Sequence, residues 1–192
     1  MVEGLQVVTG EGILSGSGHL SARIPGTETF LINPRFAGVL ADPKDICTVD
    51  FDGKRIAGKG PIPSETHIHT AIYRSRLDVG SVLHCHARYS LLLGLLDIGL
   101  IPFNREARIF ADGVPIFHNS HGIVVVGATL EEATMRAIKL DHLAQMNLQA
   151  ASLGKLPSIP QADIDGFLGR RRVKGRSVEP LWRYYSQWER RN

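Results

Sequence analysis

Pro63-Ser64-Glu65-Thr66-His67-Ile68-His69 opens, and Ser81-Val82-Leu83-His84-Cys85-His86 closes, the stretch whose pattern decides the fold. Ser64 is the expected N-cap of a helix, with Glu65 in its first turn, where a carboxylate suits the positive end of the dipole. Ile68, Ile72 and Leu77 give that helix an apolar stripe, and Asp78-Val79-Gly80 ends it. The run from Ser81 to His86 then reads as a strand. Side chains two apart in a strand share a face, so His84 and His86 point together, close enough to hold one cation. Cys85 points the other way and reads as a small buried hydrophobe.

Working outward, Gly58, Gly60, Pro61 and Pro63 make a rigid loop before the helix. Residues 46–56 carry a hairpin pattern, with Asp52-Gly53 at the turn. Phe30-Leu31-Ile32 predicts a strand stopped by Asn33-Pro34, and the first 20 residues, rich in glycine, read as turns around short apolar pieces. Downstream, a second helix is expected over residues 89–96. Asp112-Gly113 precedes a short extended piece at 114–117, and the apolarity of 123–126 predicts a buried strand. The longest helix starts at a capping box, Thr129 with Glu132. Leu130, Ala133, Ala137, Leu140, Ala144 and Leu148 mark one face, and Gly154 and Pro157 stop it. Beyond Pro160 the composition shifts to arginine and large aromatics. Leu181, Trp182, Tyr185 and Trp188 would dock a terminal helix on the domain or on a neighbouring subunit. The expected organisation is a catalytic domain over residues 1–160 and a basic, aromatic tail over 161–192.

Composition narrows the function classes. Of 192 residues, 43% are hydrophobic and 21% charged, which supports a packed core and excludes a disordered chain. The net charge of +3 sets up no global field for a nucleic acid, and much of the excess sits in the tail, from Arg170-Arg171-Arg172 onward. Cys47 and Cys85 form no disulfide framework and point to a reducing, cytoplasmic setting. No apolar run reaches the roughly 18–20 residues of a spanning helix, and no signal peptide is expected.

Eight histidines stand out, four of them between Glu65 and His86. Two imidazoles alone are an incomplete metal site, but three features add to the pair. Glu65, at a helix start, can be aimed inward as ligand or proton carrier. His121-Gly122 directly precedes the strand at 123–126. His19, in Gly18-His19-Leu20-Ser21, is placed in a turn whose glycines allow close backbone approach. Three imidazoles and a carboxylate would leave an exchangeable position for Lewis-acid chemistry. His67 and His69, two apart on a helix, diverge by about 200°, so at least one lies off the site. His118 lacks the glycine and strand that follow His121, and His142 reads as a surface or helix-packing residue.

Gly18-His19-Leu20-Ser21-Ala22-Arg23, Pro63-Ser64-Glu65, His84-Cys85-His86 and His121-Gly122, in that order, resemble the class II aldolase/adducin family. That family includes sugar-phosphate aldolases and epimerases, non-catalytic adducin heads and decarboxylases of hydroxylated aromatic acids. The resemblance implies an α/β chain with a three-layer class II aldolase-like fold, its central, mostly antiparallel sheet flanked by helices. It implies His84, His86 and His121 as ligands of a divalent metal ion, and Glu65 as acid/base or as a fourth ligand. Zinc is the first choice and manganese the second, although cobalt and iron(II) accept the same donors. It also implies a homo-oligomer, a tetramer by family resemblance, without nucleic-acid or membrane partners.

Departures from the phosphate-using members choose among the enzymes. Those members carry asparagine where His19 stands, and Thr-Gly where Arg35-Phe36 follows Pro34. Phe36 would crowd a phosphate cradle, whereas Arg35 offers a planar fork for a carboxylate. The glycine turn, with Ile-Tyr-Arg-Ser-Arg at 72–76, looks most like the aromatic decarboxylase branch, which serves aromatic compound catabolism. The expected activity is a lyase acting on a carboxylated small molecule such as a dihydroxyphthalate, through a metal-stabilised enolate. His19, Arg35 and Ser64 are the expected substrate contacts, and a fuculose-phosphate aldolase-like reaction is the alternative. Only 34 residues separate His86 from His121, where the family usually places a further helix and strand.

Overall fold

The computed structural model describes all residues except 37–40, 97–98, 105, 111–113, 116–120, 155–159, 161, 164, 167–177 and 190–192. Six strands form one antiparallel sheet: β1 (His19–Arg23), β2 (Thr29–Ile32), β3 (Cys47–Asp50), β4 (Arg55–Ala57), β5 (Ser81–Cys85) and β6 (Ile123–Gly127). Their spatial order is β4-β3-β2-β1-β5-β6. Helices α1 (Val2–Gly10), α2 (Thr66–Ser75), α3 (Arg88–Leu95), α4 (Leu130–Ala151) and α5 (Glu179–Glu189) cover it, giving the expected α/β layering. None of these helices is long and apolar enough to cross a membrane.

Alternation along the central strands sorts the two cores. Leu20, Leu83 and Cys85 join α1 and α4 residues in one cluster, on which Leu181, Trp182 and Tyr185 of α5 also pack. The opposite face gathers Phe30, Ile32, Val49 and Val82 against Tyr73 of α2. Residues alternate faces along a strand, so His19, Ser21, Val82 and His84 fall on the α2 side. Register brings the histidines abreast, because His19 pairs with His84 and Ser21 with Val82.

Local signals held where the sequence predicted elements from neighbouring residues. The hairpin turn lies between β3 and β4, with Gly53 at φ 84°. The Thr129 hydroxyl accepts the Glu132 N–H at 3.2 Å as the cap of α4. The helix expected over 89–96 is α3, displaced by one residue.

Other expectations are corrected. The first residues form a helix rather than turns, because Leu5, Val7 and Val8 gain a buried core position that outweighs the weak helix propensity of valine and glycine. His19 begins a central strand, not a turn; the Asn33 side chain holds the adjoining backbone, accepting from Leu20 N–H at 2.7 Å and donating to Gly18 O at 3.3 Å. Ser64 is not the N-cap, since Glu65 occupies that position and the helix begins at Thr66, whose hydroxyl donates to Pro63 O. The buried face of α2 is polar, made of Thr66, His69, Thr70 and Tyr73, while Leu77 is 87% exposed. β6 is an edge strand rather than a buried one, with Val124 45% exposed. His118, residues 116–117 of the extended piece, and the basic run from 170 to 176 lie outside the described residues.

Candidate metal centre

β5 presents His84, and His86 follows the strand end. β6 pairs with β5 so that Val124 sits opposite His84 and Ile123 opposite Cys85, which brings the preceding His121 alongside. Gly122 makes that approach feasible: a Cβ there would stand 2.9 Å from both His84 Cε1 and His86 Cδ2. One ligand atom from each of His84, His86 and His121 lies within 4.8 Å of the others. The short connection from residue 86 to residue 121 therefore leaves the three imidazoles together.

Glu65 reaches the cluster from the start of α2. Its Oε1 is 2.7 Å from His121 Nε2, and its Oε2 is 3.3 Å from His19 Nε2 and 3.4 Å from His84 Nε2. Burial works to raise the Glu65 carboxyl, but the His19 hydrogen bond and the nearby His84 and His121 outweigh it and hold it below its ordinary value. His19 is pushed down to about 4, first by burial and then by His84, against the pull of Glu65. Burial likewise lowers His84, partly offset by Glu65. Neutral imidazoles at ordinary pH are what a cation requires.

The donor set fits a divalent ion on a specific observation. His84 Nδ1 donates to Ile123 O at 3.0 Å, so its proton is committed there and Nε2 carries a lone pair. Among the described residues, that buried Nε2 has no hydrogen-bond partner, and neither has buried His86 Nε2, whose Nδ1 lies 3.1 Å from Ser17 Oγ. A lone pair on His84 Nε2 facing the carboxylate oxygen at 3.4 Å is acceptor against acceptor. A cation beside both relieves it.

The remaining sequence-assigned residues divide. His19 is buried, with Nε2 on Glu65 and Nδ1 2.7 Å from His69 Nε2, so both nitrogens are engaged within the protein. Ser64 is exposed in the turn before α2. The Arg35 guanidinium lies 4.8 Å from the Phe36 ring centroid. Among the described residues neither Ser64 nor Arg35 bonds to the Glu65–histidine cluster. Sequence reasoning missed His69 and Ser17, and named Gly122 beside His121 without its role in spacing the rings. The signal for His69 was available in the spacing of Thr66, His69, Thr70 and Tyr73, a polar stripe at helical period.

Comparisons with known proteins agree with this architecture. The family model described as Class II Aldolase and Adducin N-terminal domain matches residues 6–120. It ends just before His121, whose place in the cluster rests on geometry. A 3,4-dihydroxyphthalate decarboxylase of Arthrobacter keyseri is 28% identical, over 80% of this chain and 77% of the relative. An L-fuculose phosphate aldolase of Methanococcus vannielii is 33% identical, over 58% of this chain and 74% of its own. The crystal structure of an aldolase II superfamily protein from Pseudomonas syringae superposes with a TM-score of 0.86 at 22% identity, covering 99% of this chain and 90% of that one. With the family model spanning residues 6–120 and the same fold in a solved relative, the chain belongs to the class II aldolase and adducin family.

Proposed function

We propose that the chain is a divalent-metal-dependent carbon–carbon lyase that decarboxylates a hydroxylated aromatic acid of the dihydroxyphthalate kind. The observation that carries the metal-lyase part is the cluster of His84, His86 and His121 with the Glu65 carboxylate 2.7 Å from His121 and 3.4 Å from His84, and two buried imidazole nitrogens without hydrogen-bond partners among the described residues. Those three histidines would hold the ion, and Glu65 stands beside it. A bound divalent ion, zinc before manganese, supplies Lewis acidity that draws negative charge onto a substrate oxygen.

In the reaction the bond from the ring carbon to the departing carboxylate breaks and its electron pair stays with the ring. Carbon dioxide leaves. Glu65 takes a proton from the neighbouring phenol and delivers it to that ring carbon, and solvent reprotonates the phenolate on product release. Arg35 grips a second carboxylate and Ser64 adds a hydrogen bond. His19, with both nitrogens occupied, serves as the anchor of Glu65 rather than as a substrate contact.

Support for an aromatic acid over a sugar phosphate comes from the corner after β2. Phe36 takes φ 62° and is 62% exposed, at a position where phosphate-using members carry glycine. Arg35 N–H donates to Pro61 O at 2.8 Å, tying this corner to the loop that leads into Glu65. A side chain in place of glycine narrows a phosphate cradle, and a guanidinium suits a carboxylate. The 33% identity to an L-fuculose phosphate aldolase favours sugar-phosphate cleavage as the second reading. A panel assay on the metal-loaded protein separates them. Carbon dioxide from a dihydroxyphthalate supports the first, dihydroxyacetone phosphate from a ketose phosphate the second. Neither product, with no retained metal, refutes both.

A further inference from the structure

From Glu65 Oε2, the oxygen that does not meet His121, a line of hydrogen bonds runs into the protein. Glu65 Oε2 meets His19 Nε2 at 3.3 Å, and His19 Nδ1 meets His69 Nε2 at 2.7 Å. His69 Nδ1 meets Ser21 Oγ at 2.6 Å, and Ser21 Oγ meets the Tyr73 hydroxyl at 2.7 Å. His69 and Ser21 are fully buried. The groups come from two elements only: β1 supplies residues 19 and 21, while residues 69 and 73 are one turn apart on α2.

The chemistry of each group sets the direction of every bond. A carboxylate accepts, so His19 Nε2 donates to Glu65. Two ring nitrogens 2.7 Å apart share a single proton, and a neutral His19 then leaves its Nδ1 to accept from His69 Nε2. His69 is fully buried and, among the described residues, bonds to no carboxylate, so it is neutral too and accepts at Nδ1 from the Ser21 hydroxyl. Ser21 Oγ accepts from Tyr73. All the protons point toward Glu65. Reversing the order would set two acceptors, His19 Nε2 and Glu65 Oε2, against each other at 3.3 Å, so the direction is fixed from the carboxylate end. Ser21 Oγ, with Val82 O 3.4 Å away as a further acceptor, takes the Tyr73 proton in a pocket packed with the rings of Phe30 and Phe51. Burial pushes the Tyr73 hydroxyl up to about 12, so that end keeps its proton.

We propose that His69 is a positioning residue for the reaction: through this one-directional string it fixes His19 as an Nε2–H donor and so anchors Glu65 Oε2, which leaves Oε1, on the His121 side at 2.7 Å, as the oxygen that moves the proton. The inference rests on Glu65 acting as acid and base. It adds a division of labour between the two carboxylate oxygens and a reason for the polar face of α2.

Histidine 15N spectra of the purified chain loaded with diamagnetic zinc test the string directly. The expected result is a bare Nδ1 and a protonated Nε2 on both His19 and His69; a proton on His19 Nδ1 would overturn the proposal. Kinetics add a second arm. His69→Gln keeps a donor amide where Nε2 stood and is expected to retain turnover. His69→Leu is expected to lose about tenfold in kcat with KM unchanged, the scale of one misplaced hydrogen bond. Wild-type kcat in His69→Leu, or equal losses in both variants, would overturn it. Should His69→Leu not fold, Ser21→Ala removes one oxygen atom and is expected to release both rings into mixed tautomers, whereas an unchanged spectrum counts against the string. Absence of turnover on every substrate overturns the catalytic reading beneath the proposal. Unimpaired turnover in His69→Leu overturns the proposal alone.

Discussion

Gly122→Ala is the sharpest test of how the imidazoles are spaced. The added methyl carbon would stand 2.8 Å from Cys85 O and 2.9 Å from both His84 Cε1 and His86 Cδ2. Non-bonded carbons rest at about 3.5–4.0 Å, so the strand or the rings must yield by roughly 0.6 Å or more. His84 is tied through Nδ1 to Ile123 O, and His86 Nδ1 lies beside Ser17 Oγ, so neither ring swings freely. β6 is the outermost strand among the described residues and gives way more readily, carrying His121 outward. Overpacking of this kind costs about 1–3 kcal/mol, or roughly 2–12 °C in Tm for a chain of this size. Divalent-metal affinity should fall about 10–100-fold, the range seen when groups that aim ligands are disturbed. Thermal melts of the metal-free protein and competition against a chelator measure the two effects separately. Gly94→Ala is the control, since its Cβ meets nothing within 4 Å on α3. Metal affinity equal to wild type in Gly122→Ala would refute the idea that Gly122 sets the ligand spacing.

Glu65→Ala should abolish turnover while bound metal persists, and a fully active variant would remove Glu65 from the mechanism. His84→Ala should lower the metal content of the purified protein, so unchanged content by elemental analysis would refute its ligand role. Acid should destabilise the metal-free fold. Burial first, and His84 second, hold the His19 ring at about 4, while the unfolded chain binds a proton near 6.5. Between those values the unfolded state carries more protons. The contribution is full above pH 6.5 and is lost as pH falls toward 4, at up to about 1.4 kcal/mol per pH unit. His69, also driven down by burial, adds in the same direction. A urea midpoint that stays constant from pH 7 to pH 5 would refute neutral burial of these rings.

What the sequence disclosed was what neighbouring residues decide among themselves. Asp52-Gly53 marked the hairpin and Thr129 with Glu132 the start of α4, because a turn and a cap are settled within four residues. The period of a strand likewise placed His84 and His86 together. Long-range choices were hidden. Leu5, Val7 and Val8 form a helix because of what α1 packs against, which its own residues do not reveal. Helical geometry put at least one of His67 and His69 off the site without saying which, because the partner that decides it for His69, Ser21, is 48 residues away. The strand at 123–127 has a buried strand's composition, and only the sheet order makes it an edge. The resemblance supplied the expectation that His121 joins His84 and His86, a convergence that local pattern alone leaves open.

The rim position of β6 has a consequence for the order in which the site comes apart. A ribbon bonded on one side frays before the interior strands do, and His121 is rooted beside it. An ion gripped by residues 84, 86 and 121 would rivet the rim to the centre of the sheet. Amide hydrogens of residues 123–127 would then exchange more slowly in the loaded protein, and release of the ion would begin with the loosening of that outer ribbon.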